Sequence, residues 1–199
     1  LSGCSCRSGE PADCYVFSWA RRFWSATVPG GEVAGRYRFF ARPEVIGRTY
    51  MRVFQHGEYF YALAMPGVFY RSGDGFGAFE ERPTLFEPDM RHCAVLKRGD
   101  KLHVFWTRVK DVPERMLLTS IDISSDWQQW RSEGEVEVLR PEREWEGADA
   151  PLAPSMRSVA YEQVNQLRDL AIFEENDQVY LLYAVAGESG IAIAELTGL

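Results

Sequence analysis

No stretch of this 199-residue chain approaches the roughly 18 consecutive apolar residues that a membrane-spanning helix needs. A basic surplus is missing too. The chain has 22 Lys and Arg against 29 Asp and Glu, a net charge of −7. That balance argues against nucleic acid and against an anionic membrane as partner. Absent as well are a Gly-rich phosphate loop, a zinc-ligand spacing and a nucleophile elbow. No metal or other cofactor is therefore expected. No segment of ordinary helix length repeats its apolar residues every 3.6 positions, which leaves a helical bundle without support. Cysteine is scarce in the body. Of four, three stand at Cys4, Cys6 and Cys14, and only Cys93 follows. Cys93 sits in an apolar strand context, where a thiol behaves as a small buried hydrophobe. That usage fits a reducing, cytoplasmic location, and a bacterial one is expected. The first residue is Leu1, so we read the chain as a fragment or a processed product.

What is present is a repeat. "RVFQHGEYFYALAM" followed by "PGVFYRS" has the same layout as "AVLKRGDKLHVFWT" followed by "RMLLTSID". "AIFEENDQVYLLYAVA" followed by "SGIAIAEL" has it again. Each copy is an apolar strand, a tight turn, an aromatic alternating strand and a third strand. The turns are His56-Gly57-Glu58, Arg98-Gly99-Asp100 and Glu175-Asn176-Asp177, all of hairpin chemistry. A fourth strand is expected in "AFEERPTLF" and in "VEVLRP". Antiparallel four-stranded units in series read as blades of a β-propeller. A generic β-sandwich is the alternative.

Residues 1–40 break this pattern. Read one base later, their codons are compatible with "SPDVHVDPESRRI" and then "AMYFHGLDGSGAQQYRVARSLDGIAF". The hidden end, continued into the visible "FARPEV", matches Tyr70 to Leu85, "YRSGDGFGAFEERPTL". Both have a strand, Ser-x-Asp-Gly, an aromatic and Arg-Pro. A slip in a run of T bases at Phe39-Phe40 would explain the change. We therefore read 1–40 as an out-of-frame or disordered segment and 41–199 as the C-terminal blades of a propeller. The three early cysteines, which otherwise suggest a metal clip or a disulfide, would then be artefacts. Residues 1 to about 38 are expected to lack well-packed strands continuing the repeat, with Trp19, Phe23 and Trp24 exposed or loosely collapsed. A real, irregular N-terminal extension is the alternative.

"NQLRDLAIFEENDQVYLLYAVAGESGIAIAEL", together with the hidden "SPDV" and "MYFHGL", resembles propeller proteins similar to the glycoside hydrolase family 43 and 32 clan. The resemblance implies an all-β, incomplete five-bladed propeller of antiparallel four-stranded blades, cut from a longer parent. It departs from the pattern at Leu170, where such proteins usually carry Asp-Pro. It departs further in the missing first blades, where the clan usually keeps its catalytic base.

Glycoside hydrolysis commonly needs two carboxylates, one a general acid of raised pKa. Asp169, Glu188 and Glu146 are the candidate catalytic residues. Arg52, His92 and Arg168 stand with Asp169 at or before the starts of innermost strands, where blades converge, and are candidate substrate-binding groups. Trp145 and Asp149, in "WEGAD", join them, because an aromatic face beside carboxylates suits a sugar ring. Each has a structural alternative. Arg168-Asp169 could close the blade as an ion pair, His92 could be a satisfied core histidine, Glu188 could cap a turn, and "WEGAD" could be a packed loop. Two functions follow. One is a glycosidase-like propeller acting on a carbohydrate in the full-length parent, with this fragment inactive. The other is a non-catalytic propeller that binds a glycan or serves as an interaction domain.

Overall fold

The computed structural model describes the backbone strands at residues 13–17, 23–27 and 39–42, and residues 45–77, 79–82 and 84–198 in full. It is nearly all antiparallel β, and the chain divides into two compact units. One comprises Leu1–Ala64 with Tyr70–Glu81, the other Met65–Phe69 with Arg82–Leu199.

In the first unit, β1 (Asp13–Phe17), β2 (Phe23–Thr27) and β3 (Phe39–Arg42) form a three-stranded sheet in that order. Two of these strands fall in the stretch expected to lack well-packed strands, and the packing of their side chains lies outside the described residues. "DCYVF" and "FWSAT" are rich in aromatic and β-branched residues, and that propensity suffices for local pairing. Trp19 lies outside the described residues, as do the side chains of Phe23 and Trp24. A second sheet follows with β4 (Arg52–His56), β5 (Tyr59–Ala64), β6 (Val68–Ser72) and β7 (Glu80–Glu81) in sequential order. The Ser-x-Asp-Gly segment is a closed turn. The Asp74 carboxylate accepts from the Gly77 N–H at 2.7 Å and the Phe76 N–H at 2.9 Å. Those bonds hold its pKa below the usual carboxylate value.

The second unit holds two sheets. The first runs β8 (Met90–Arg98), β9 (Lys101–Arg108), β10 (Met116–Asp122). Its fourth position is split, because β11 (Arg131–Ser132) pairs with the end of β10 and β12 (Val136–Leu139) with its start. The last sheet is β13 (Arg168–Glu175), β14 (Gln178–Val185) and β15 (Gly190–Leu196). The three expected hairpin turns are present. Gly57 and Gly99 have φ of 58° and 55°, and Asn176 and Asp177 have 51° and 62°. A type I′ turn needs two such left-handed residues in succession, which Asn and Asp tolerate.

Apolar alternation explains how the two sheets of this unit meet. Ala94, Leu96, Phe105 and Met116 pack against Leu170, Leu181, Tyr183 and Val185 in one buried cluster. The opposite face of the β8–β10 sheet is covered by aromatics. Trp106 meets Phe86 edge-on at 5.6 Å, and Phe69 meets Trp130 edge-on at 5.7 Å. Leu170, which departs from the family pattern, is fully buried in the inter-sheet cluster. Removing its side chain would cost about 2–5 kcal/mol.

Candidate functional site

The two long inner strands of the second unit, β8 and β13, share a local irregularity. The register of β8 on β9 shifts between Met90 and Cys93, and that of β13 on β14 shifts between Arg168 and Ala171. A bulge adds a residue to one strand and re-aims its side chains. Here it turns Arg91-His92 and Arg168-Asp169 out of simple alternation. Asp169 has φ of 50°, a left-handed conformation that a non-glycine residue holds only when its surroundings fix it.

Those surroundings are a buried ionic cluster. Glu114 has a completely buried side chain, and its Oε2 lies 3.2 Å from the Arg91 guanidinium and 3.3 Å from Nε of Arg168. Burial pushes the Glu114 carboxyl up, opposed by Arg91, the Thr107 hydroxyl, Arg168 and the Ser155 hydroxyl. Both arginines also donate to the carbonyl oxygen of Ser158, Arg91 at 2.9 Å and Arg168 at 3.1 Å. Arg168 donates further to the Gln166 side-chain oxygen and to Glu188 Oε1 at 2.9 Å. His92 is buried against Asp169. Its Nδ1 accepts from the Asp169 backbone N–H at 3.3 Å, which puts the proton on Nε2, 3.2 Å from Asp169 Oδ1. One ring thereby fixes both the backbone and the carboxyl of Asp169.

Asp169 and Glu188 are the carboxylates that remain partly open, with side chains 29% and 27% exposed. Burial raises the pKa of Asp169, and the charge of Glu188 raises it further; Arg91 and Arg168 oppose the shift less effectively. The charges explain why. Two guanidiniums, Arg91 and Arg168, face three carboxylates, Glu114, Asp169 and Glu188, and the excess of negative charge favours the neutral form of Asp169. The arrangement offers an acid beside an ion-paired carboxylate on one strand end.

Glu146 sits differently. It is buried, its Oε1 accepts from the Tyr183 hydroxyl at 3.0 Å, and its Oε2 accepts from the N–H groups of Glu142 and Arg143 at 2.9 and 3.0 Å. Burial and that carboxylate push the Tyr183 hydroxyl pKa up. Glu146 thus caps the short 3-10 turn Glu144–Glu146, with both oxygens engaged. Trp145 is 57% exposed and Asp149 is exposed, so neither is held by the buried cluster. Arg52 begins β4, half-buried, in the first unit. The structure therefore brings together His92, Arg168, Asp169 and Glu188.

Arg91, Glu114 and Gln166 were missed by the sequence reading. Arg91 was legible, because "RHCAVL" and "RDLAIF" are the same position of the repeat. Glu114, in "VPERML", follows no local pattern; only folding shows that it lies between two arginines. Among the described residues, no group of three or more His, Cys, Asp or Glu is arranged to hold a metal ion.

No protein-family model matches the chain. An uncharacterized protein of Acanthamoeba polyphaga mimivirus is 38% identical over 167 residues, covering 76% of this chain and 47% of that protein. The chain spans about half the length of this curated relative. The relative is viral and gives no support to the bacterial origin expected from the sequence. Solved structures show the fold. A thermostable family-43 glycoside hydrolase matches with a TM-score of 0.59 at 13% identity, over 100% of this chain and 73% of that one. An α-L-arabinanase of Cellvibrio cellulosa, solved with arabinohexaose, matches at 0.57 and 9% identity, over 98% and 72%. An exo-β-1,3-galactanase of Phanerochaete chrysosporium, solved with β-1,3-galactotriose, matches at 0.52 and 14% identity, over 92% and 42%. The chain has a β-propeller-like, all-β fold of the family-43 glycoside hydrolase type. No helix among the described residues is long and apolar enough to cross a membrane.

Proposed function

We propose that this chain is the C-terminal part of a longer five-bladed propeller that hydrolyses a carbohydrate. Asp169 acts as the general acid and Glu188 as a second carboxylate in the pocket. The observation that carries this reading is the setting of Asp169. Its pKa is raised by burial and by Glu188, and His92 holds it in place. A carboxyl whose pKa is raised holds its proton to higher pH and can donate it to a leaving glycosidic oxygen. The carbohydrate ligands of two fold neighbours support the substrate class. Arg168 holds Glu188, and Trp145 and Asp149 supply an exposed sugar-facing surface. Glu146 is assigned to structure rather than chemistry. The 199-residue chain by itself is expected to be inactive, because blades that complete the pocket belong to the parent.

The test uses aryl glycosides of graded leaving-group pKa on the longer parent. An acidic phenol leaves without help, whereas a poor leaving group needs the proton. Asp169→Asn is expected to lower kcat by about 10²–10⁴ for poor leaving groups and far less for nitrophenyl glycosides. Equal loss for all leaving groups would remove Asp169 as the acid. Turnover by the short chain alone would contradict the incomplete pocket.

A non-catalytic glycan-binding propeller is the second reading. It is favoured by the 2.9 Å pair between Arg168 and Glu188, which engages one of the two open carboxylates. Parent protein that binds oligosaccharides but turns over no glycoside would select it. We also hold residues 1–40 to be out of frame. The nucleotide sequence across Phe39-Phe40 decides that directly.

A further inference from the structure

The turn that leads into Glu188 is gripped by two segments of the chain, and each segment carries an exposed aromatic. A Cβ on Gly187 would lie 2.9 Å from the Ala160 Cβ and 2.9 Å from Cγ1 of Val164. One on Gly147 would lie 2.8 Å from the Ala186 Cα and 2.9 Å from the Val164 carbonyl oxygen. Both glycines are left-handed, with φ of 78° and 88°. Glycine is the residue that allows this backbone and this close approach together. Trp145 stands two residues before Gly147, and Tyr161 directly follows Ala160. Trp145 is 57% exposed and Tyr161 is 91% exposed.

The backbone around Tyr161 is pinned. The Ser158 carbonyl accepts from Arg91 at 2.9 Å and from Arg168 at 3.1 Å. The Ala160 N–H donates to Glu188 Oε1 at 3.4 Å, and the Val164 N–H to the Ala186 carbonyl at 3.5 Å. The main chain is therefore tied to the Glu188 turn on both sides of Tyr161, while the phenol ring is left in water. A single exposed aromatic is ordinary. Two of them on fixed segments that meet at a partly open carboxylate make a contact surface, because Tyr and Trp offer large area at little cost in side-chain freedom. Charge narrows the ligand. Arg91 and Arg168 donate inward, to Glu114, the Ser158 carbonyl, Gln166 and Glu188. Glu162, beside Tyr161, is exposed and acidic. An acidic sugar would meet repulsion at this surface, and the two guanidiniums are already engaged.

We propose that Tyr161 is a sugar-stacking residue that, with Trp145, binds separate rings of one uncharged oligosaccharide beside Glu188. A sugar ring has an apolar C–H face that an aromatic ring can cover, while the phenol hydroxyl stays in water. Two stacking residues favour a ligand of several units over a single sugar. The proposal rests on the reading that this site takes a carbohydrate. It does not need Asp169 to be the acid, so the two can fail separately.

Calorimetric titration of the longer parent, carrying Asp169→Asn to suppress turnover, tests it. The probes are uncharged arabinose and galactose oligosaccharides of increasing length, the sugars of two fold neighbours, and an oligogalacturonide as the acidic counterpart. Tyr161→Ala should weaken binding of the longer uncharged probes about tenfold and that of the disaccharides less. Tyr161→Phe keeps the ring and should restore the affinity. Tm should be unchanged in both variants, because the side chain is exposed. Unchanged affinity in Tyr161→Ala would overturn the proposal, as would a parent that binds none of the uncharged probes or prefers the oligogalacturonide. An affinity lost equally in Tyr161→Ala and Tyr161→Phe would also overturn it, since the hydroxyl and not the ring would then be the contact. A parent that needs Tyr161 for binding but still turns over glycosides without Asp169 would support this proposal and sink the assignment of the acid.

Discussion

Glu146 and Glu188 flank one turn of the chain and have opposite fates. The Glu146 carbonyl accepts the N–H of Ala186, at the start of the turn that carries Glu188. Both residues are acidic, and Glu146 even follows a tryptophan. Glu146, however, is buried with three donors on its two oxygens. Glu188 is partly open and held by Arg168 through a single oxygen. A carboxylate whose lone pairs are already filled by the fold has little to offer a substrate. One with an unengaged oxygen at a surface can still meet a ligand.

The comparison is best broken at its base, Glu114. Glu114→Gln removes the charge between two buried guanidiniums and is expected to destabilise the second unit by about 3–5 kcal/mol. Denaturant unfolding followed by tryptophan fluorescence reads it. A loss below about 1 kcal/mol would mean that the arginines are compensated elsewhere. Glu146→Ala comes next. It strands two backbone N–H groups and the Tyr183 hydroxyl, and should cost about 2 kcal/mol. Glu188→Gln should cost less than about 1 kcal/mol, because its pair is partly solvated. The reverse order of these two would invert the assignment of structural and functional carboxylates.

A pH series sharpens the same contrast. The folded-state pKa of Asp169 is raised above its ordinary 3.8, so the native state holds this proton more tightly than the unfolded chain. Its contribution to stability is complete below the ordinary carboxylate range. It is lost as pH rises from there through the elevated native value. Asp169→Asn should match wild type near about pH 3 and become the more stable protein toward neutrality. Asparagine also tolerates the left-handed backbone. Thermal melts from acid to neutral pH measure the difference, and parallel curves would deny the shift. The smallest effect belongs to the surface. Arg140→Ala breaks an exposed pair with Glu137 and should leave the melting temperature unchanged within measurement error.

The strands were legible because their signals are local. Gly57, Gly99 and Asn176-Asp177 specify their turns, and alternation specifies the faces. Arg168, Asp169 and His92 were legible as strand-start residues of a repeat. The cluster that gives them meaning was not. Glu114 reaches Arg91 and Arg168 only through the packing of two sheets, and the bulges that re-aim those arginines leave no composition signal. The engagement of Glu146 was not legible for the same reason, since its partner Tyr183 is 37 positions away. At the other end, "DCYVF" and "FWSAT" pair as strands, as their propensity favours, so strand formation there does not distinguish the two reading frames.

Asp169 carries the central claim, and its ionisation can be read directly. Carboxyl carbon-13 NMR of the 199-residue chain, titrated from acid to neutral pH, should show an aspartate above the ordinary value that disappears in Asp169→Asn, distinct from the raised Asp111. Glu188→Gln should bring that value down, because the Glu188 charge is the second cause of the shift. An Asp169 that titrates at or below the ordinary aspartate value, or one indifferent to Glu188, would contradict its role as the acid.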